Sequence, residues 1–244
     1  MIYTLIGMGL LFVAIGFIVT ENNAKYLLSG YNTMSGEERK KVNIKEYIPY
    51  FKKFHIFLGV SFLVFGLALT YYLDEIAGGI FLTVYPILAY IYFIATSSKY
   101  SGGLGAKRNR IGVVVLGGTL IFVIGLLGYG FKENTLRYGP DIIELEGSYG
   151  ETLNGSEIKS IELVDRLPKI SLKTNGFAIG TVRKGYFRSE NGEIIKLILN
   201  SDSKPYILFT KLNGQKIYFS AKKESNREIV EGMKKILPHI RYLP

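Results

Sequence analysis

Residue types that carry covalent and metal chemistry are scarce and scattered in this 244-residue sequence. It has no cysteine and two histidines, His55 and His239. Thiolate nucleophiles, disulfides, iron–sulfur clusters and cysteine zinc sites are therefore excluded, and the two histidines are too far apart in sequence for a ligand pair. His55 stands at the mouth of an apolar run and reads as interfacial, while His239, beside Pro238, reads as a terminal surface residue. The segment 101–110, "SGGLGAKRNR", has glycines and cations but lacks the G-x-x-x-x-G-K-[ST] order of a phosphate loop, and reads as a connecting turn. No catalytic residue, metal or cofactor is indicated, and the sequence reads as that of a non-enzyme.

Two groups with recognition chemistry remain. Arg166, Lys169, Lys173, Arg183, Lys184 and Arg188 crowd one stretch. They could meet an anionic partner such as a cell-wall polymer or a lipid head group, or they are solvated cations on a β surface. The second group is the string Gly30-Tyr31-Asn32-Thr33-Met34-Ser35, followed by Glu37 and Glu38. Ser35 and Glu38 have the spacing of a capping box, which predicts a short helix through "SGEERKKV". Leu27, Tyr31 and Met34 recur at i, i+4 and i+7, predicting an amphipathic continuation of the preceding helix along the membrane surface. This loop reads either as a docking surface for a partner protein or as a connector that pins two helices at the interface.

The elements that carry these groups follow from hydropathy. Hydrophobic residues make up 48% of the chain and charged residues 20%, a mixture that is segregated at about residue 131. Four runs free of Asp, Glu, Lys and Arg, about 2–20, 55–73, 76–95 and 111–129, have the length of bilayer spans. No basic residue precedes the first and no small-x-small site follows it, so it reads as a permanent helix rather than a signal peptide. Seven basic residues lie between 21 and 53 and four between 96 and 110, whereas Asp74 and Glu75 alone separate the second and third runs and the N-terminal tail has no cation. By the positive-inside rule, loops 21–53 and 96–110 are cytoplasmic, and the N-terminus and everything beyond 130 lie outside. Tyr3, Tyr71, Tyr72 and Tyr129 would then form an outer interfacial belt. The spans hold no Asp, Glu, Lys or Arg for charge movement and no GxxxG pattern, so they read as an anchor rather than a conduit.

Residues 131–244 change character. Asn-Gly pairs at 154–155, 175–176, 191–192 and 213–214 separate short alternating runs, predicting hairpins and an antiparallel barrel or sandwich. Ser225 and Glu228 form a second capping-box pattern, and Ile229, Met233 and Ile236 make one apolar stripe of a helix ended by Pro238. With 19 basic and 14 acidic residues this part has no nucleic-acid footprint.

Two resemblances can be stated on these residues. Gly147, Tyr149 and Gly150, Leu167-Pro168, Asn175-Gly176, Gly185-Tyr186-Phe187 and Pro205-Tyr206-Ile207 make about 138–237 resemble a bacterial PH-like domain. The resemblance implies an all-β barrel capped by the C-terminal helix and a recognition role. The loop "GSYGETLNGS", which would be its first hairpin, has no Lys or Arg, so inositol-phosphate binding is not implied. The GYNTMS string after a first apolar helix makes about 1–96 resemble a bacterial membrane family of unknown function, with which no activity comes.

The expected molecule is thus a membrane α-helical region of four transmembrane helices, 1–130, joined to a PH-like domain, 131–244. It would sit in the cell membrane with the lipid bilayer as one partner. The PH-like domain would recognise a protein or anionic envelope component outside the membrane. The alternative is an accessory or subunit of a membrane transport or immunity complex whose helices carry the function.

Overall fold

A computed structural model describes residues 1–100 and 106–243, the side chains of 106–108 excepted. The glycine-rich part of the expected 101–110 turn therefore lies outside the described residues. The chain divides into two compact units, Met1–Gly125 and Leu126–Pro244.

The first unit is helical. Helix α1 (Ile2–Ile18) is followed by the short α2 (Ala24–Leu27) and α3 (Gly36–Lys40), then α4 (Ile44–Tyr72), α5 (Glu75–Ser97) and a 3₁₀ turn at Ser98–Tyr100. Helix α6 (Ala106–Phe131) crosses the boundary between the units. Three of the helices, α4, α5 and α6, are long and apolar enough to cross a membrane, and α1 is a shorter apolar helix. Side-chain caps mark the starts of α4 and α5: Asn43 accepts from the Glu46 amide at 3.4 Å, and Asp74 accepts from the Ala77 amide at 2.7 Å.

Helices α1 and α4 cross at glycines. A Cβ at Gly59 would lie 2.5 Å from the Gly9 carbonyl oxygen, and one at Gly16 would lie 3.1 Å from the Lys52 carbonyl oxygen. Gly9 itself faces the Leu63 side chain, and Gly66 faces Leu5. The order of these contacts makes the pair antiparallel. Small residues let two backbones approach where lipid supplies no hydrophobic drive to association.

Helices α4 and α5 are joined by polar rungs between aromatic layers. Tyr50 meets Thr96, Tyr90 donates to His55 at 3.2 Å, and Ser61 meets Tyr85 at 2.6 Å. His55 is buried within the helical unit: it is 1% exposed and sits among the rings of Phe51, Phe54, Tyr90 and Phe93. Its Nδ1 lies 2.8 Å from the Phe51 carbonyl, which can only accept, so the proton is on Nδ1 and Nε2 accepts from Tyr90.

The second unit is β-rich. A three-stranded antiparallel sheet contains β1 (Thr135–Tyr138), β2 (Ile142–Glu146) and β3 (Glu151–Asn154). A seven-stranded sheet contains β4 (Ile158–Val164), β5 (Ile170–Ile179), β6 (Val182–Ser189), β7 (Ile194–Leu199), β8 (Tyr206–Lys211), β9 (Lys216–Ser220) and β10 (Tyr242–Leu243). Its order, β10-β4-β8-β9-β7-β6-β5, leaves it open, with β10 and β5 as edges. The β7–β9 and β10–β4 pairings are parallel, so it is neither closed nor purely antiparallel as the hairpin spacing predicts. Helix α7 (Asn226–Ile236) packs Ile229, Val230 and Met233 into a core with Ile143, Ile207 and Phe219. A second core around Phe187, Leu197, Tyr206 and Tyr218 is bordered by Leu167 and Ile170.

Only two of the four Asn-Gly pairs turn hairpins as predicted, Asn191-Gly192 between β6 and β7 and Asn213-Gly214 between β8 and β9. Asn154-Gly155 leads into a 3₁₀ turn, Gly155–Glu157. Asn175-Gly176 lies inside β5, where Gly176 pairs with Gly185 of β6, and the chain turns instead after Ile179, opposite Val182. Both glycines have positive φ, 155° and 125°, and a Cβ on either would strike the other strand's backbone. This close crossing uses the conformational freedom that elsewhere makes a turn.

Candidate functional site

The GYNTMS segment is built by backbone clasps rather than by a continuous helix. Helix α1 ends at Val19, which is extended, and α2 ends at Leu28, also extended. Leu27, Tyr31 and Met34 therefore do not share a helix face, and the predicted amphipathic continuation is replaced by a folded loop. Gly30 takes φ 86°, its amide donates to Asn32 Oδ1 at 3.2 Å, and Thr33 Oγ donates to the Gly30 carbonyl at 3.2 Å. The Ser35–Glu38 capping box is fully formed: the Glu38 amide donates to Ser35 Oγ at 3.3 Å, and the Ser35 amide donates to the Glu38 carboxylate at 2.8 Å. Glu37 pairs with Lys40 at 2.7 Å on the exposed side of α3. Arg39, in α3, reaches back and donates to the carbonyls of Tyr31 at 3.1 Å and Asn32 at 2.9 Å. Its guanidinium also lies 5.8 Å from the centre of the Tyr31 ring.

This loop is fastened to the end of α5. The Asn43 amide donates to the Tyr100 carbonyl at 2.9 Å, and Tyr47 meets the Tyr100 ring edge to face at 6.0 Å. Between them lies a cavity of about 100 Å³, lined by Leu28, Tyr31, Met34, Tyr47, Tyr100 and Asn109, with Ser29, Gly30, Val42, Ile44 and Ser97 completing it. Gly30, Tyr31 and Met34 of the motif thus contribute to its wall, and Asn32, Thr33, Ser35 and Glu38 hold the wall in shape. Among the described residues no acidic or basic side chain lines it. Alongside is an open cleft edged by Arg39, Lys40, Lys41 and Lys45, which shares Val42 and Ile44 with the cavity.

The cations singled out on the second unit are not one patch. Arg166, Lys169, Lys173 and Arg188 are exposed and Arg183 is half-buried, but Lys184 is fully buried. The Lys184 ammonium bonds the Lys132 carbonyl just beyond α6. Burial pushes its pKa down to about 8, opposed by nearby Glu133 and assisted by Lys222. Lys184 is therefore an internal group rather than part of a binding surface. Its strand neighbours alternate toward solvent, so Arg183 and Arg188 remain on opposite faces of β6.

Among the described residues no group of three or more His, Asp or Glu is placed to hold a metal. His239 lies 3.5 Å from Asp141 at the surface. The polar rung at His55 and the glycine crossing of α1 and α4 were the features sequence reasoning missed. Their only local signals are a histidine inside an apolar helix and glycine pairs spaced by seven, Gly9 with Gly16 and Gly59 with Gly66.

Residues 6–101 match the family described as "Domain of unknown function (DUF3784)". The matched stretch runs from within α1 through the 3₁₀ turn, and includes every cavity-lining residue except Asn109. No curated protein and no solved structure matches the chain.

Proposed function

We propose that this is a non-enzymatic, multi-pass membrane protein whose β unit lies outside the membrane and recognises a protein or an anionic envelope component. The observation that carries the reading is charge asymmetry: seven cations between 21 and 53 and four between 96 and 110, against none before 21 or at the α4–α5 corner. Basic connections stay on the cytoplasmic side. With 17 residues, α1 is at the lower limit for a spanning helix, about 26 Å at 1.5 Å per residue. Counting it as a span gives four, and an even number returns the chain to the side on which it began.

Polar groups inside the helical unit are neutral and paired with one another, which favours a scaffold over an ion pathway. A PH-like description of the β unit is supported by the amphipathic C-terminal helix in the sheet core and by the two Asn-Gly hairpins. The open edge and the parallel β7–β9 pairing depart from that pattern. Recognition is accordingly assigned to exposed Arg166 and Arg188, for which no ion pair forms among the described residues; Lys173, opposite Phe187 in the β5–β6 register, lies on the other face of the sheet from Arg188.

A photo-crosslinking residue at Arg188 tests this in intact cells expressing the full chain. The reading expects adducts to envelope material or a partner, reduced when Arg166 is changed to Gln. Equal adducts from exposed Glu144, or none from position 188, would contradict it.

A further inference from the structure

We propose that the cavity and the adjoining cleft of the GYNTMS loop together bind a zwitterionic phosphoammonium group, with the ammonium among the tyrosines and the phosphate against the lysines. The inference rests on the loop's own geometry and not on which side the β unit faces.

Three features converge on this ligand. The cavity is walled by Tyr31, Tyr47 and Tyr100, and the rings of Tyr47 and Tyr100 stand at 78° to each other. Near-perpendicular aromatic walls are how proteins surround a compact organic cation, because the negative face of each ring attracts it. Tyrosines here already hold cations of the chain: Arg39 lies over Tyr31, and the Lys99 ammonium lies 5.0 Å from the Tyr100 ring centre.

Size is the second feature. About 100 Å³ is less than the cavity of about 150 Å³ that takes benzene, and matches a small alkylammonium head. A lysine-rich loop would repel a bare cation, however, which leads to the third feature. The cleft sharing Val42 and Ile44 with the cavity is lined by Arg39, Lys40, Lys41 and Lys45; Lys40 is paired with Glu37 and Arg39 is held by the Tyr31 and Asn32 carbonyls, so Lys41 and Lys45 are the cations that would face a phosphate. A phosphate seated there neutralises the local field while its attached ammonium enters the neutral pocket. Cation and anion in one ligand fit where either alone meets a mismatch.

Two sources share this chemistry, a phospholipid head group and a soluble phosphoammonium ester. The test is calorimetric titration of the full chain in maltoside micelles with phosphocholine and phosphoethanolamine. The comparison probe is 3,3-dimethylbutyl phosphate, which keeps the shape of phosphocholine without the positive charge. At least one phosphoammonium probe should bind about tenfold more tightly than the neutral isostere, the factor a desolvated cation–π contact supplies. Tyr100→Leu should remove that preference, Tyr100→Phe should retain it, and Lys41→Gln with Lys45→Gln should weaken both probes alike. In phosphatidylglycerol nanodiscs, admixed phosphatidylethanolamine or phosphatidylcholine displaces the soluble probe if lipid is the source and leaves it bound if the ester is. Equal affinity for the isostere, an unchanged Tyr100→Leu profile, or no binding of any probe would overturn the proposal.

Discussion

Tyr90 donates its hydroxyl hydrogen to Nε2 of His55 at 3.2 Å, in the middle of the α4–α5 interface. The pair is one of three rungs, with Tyr50–Thr96 on one side and Ser61–Tyr85 on the other. Interhelical hydrogen bonds in a bilayer are worth about 0.6 kcal/mol on average. Tyr90→Phe should therefore lower stability by about that amount, measured by unfolding the full chain in mixed micelles. Combined with His55→Leu in a double-mutant cycle it should show coupling, because both changes remove the same bond. Strict additivity would mean the rung contributes nothing.

The α1–α4 crossing makes a sharper prediction. A methyl group at Gly59 would meet the Gly9 carbonyl oxygen and a Val13 methyl carbon at 2.5 Å. Gly59→Ala should cost about 1–3 kcal/mol through forced separation of the backbones. Gly117, in α6, has no described atom within 4 Å of such a methyl. Gly117→Ala should be neutral or stabilising, since it also removes the entropy penalty of a helical glycine. Similar losses at both positions in the same micellar assay would refute the close crossing.

Lys184 predicts an unusual pH dependence. Its folded pKa of about 8 lies below the ordinary 10.5 because burial disfavours the ammonium. Between pH 8 and 10.5 the unfolded chain binds a proton that the folded chain has lost, so this group adds stability as pH rises through that window. Below pH 8 the folded chain carries the buried charge at full cost. Lys184→Met should raise denaturant resistance at pH 7 and flatten the rise between pH 8 and 10. Burial, aided by the Asp202 hydrogen bond, pushes Tyr206 up to about 12, so its opposing loss of stability begins only above pH 10.

How legible this molecule is in its sequence depends on the range of the interaction. The long apolar helices and the Ser35–Glu38 cap are local patterns, set by residues within one or two turns; the cap forms as expected, while three of the four expected spans are long enough to cross a membrane and α4 begins at Ile44, well before its apolar run. The fate of Asn175-Gly176 is not local. The dipeptide is compatible with a turn or with a tight strand crossing, and its partner Gly185 selects the second. Parallel pairing of β7 with β9 likewise depends on β8 being placed beyond β9. At the candidate site, the motif residues were visible as a string, but their cavity needed Tyr47, Tyr100 and Asn109 from three other segments. His55 shows the same limit: its burial is decided by Tyr90 and Phe93 on another helix.

The central claim, that the GYNTMS loop and the β unit lie on opposite sides of the membrane, is tested most directly by thiol accessibility. The chain has no cysteine, so single substitutions report alone. Ser156→Cys, Asn213→Cys and Lys41→Cys all fall at exposed positions. In intact cells, an impermeant maleimide should label positions 156 and 213 and leave 41 unlabelled until the membrane is opened. Labelling at 41 with protection at 156 and 213, or the same behaviour at all three, would contradict the account.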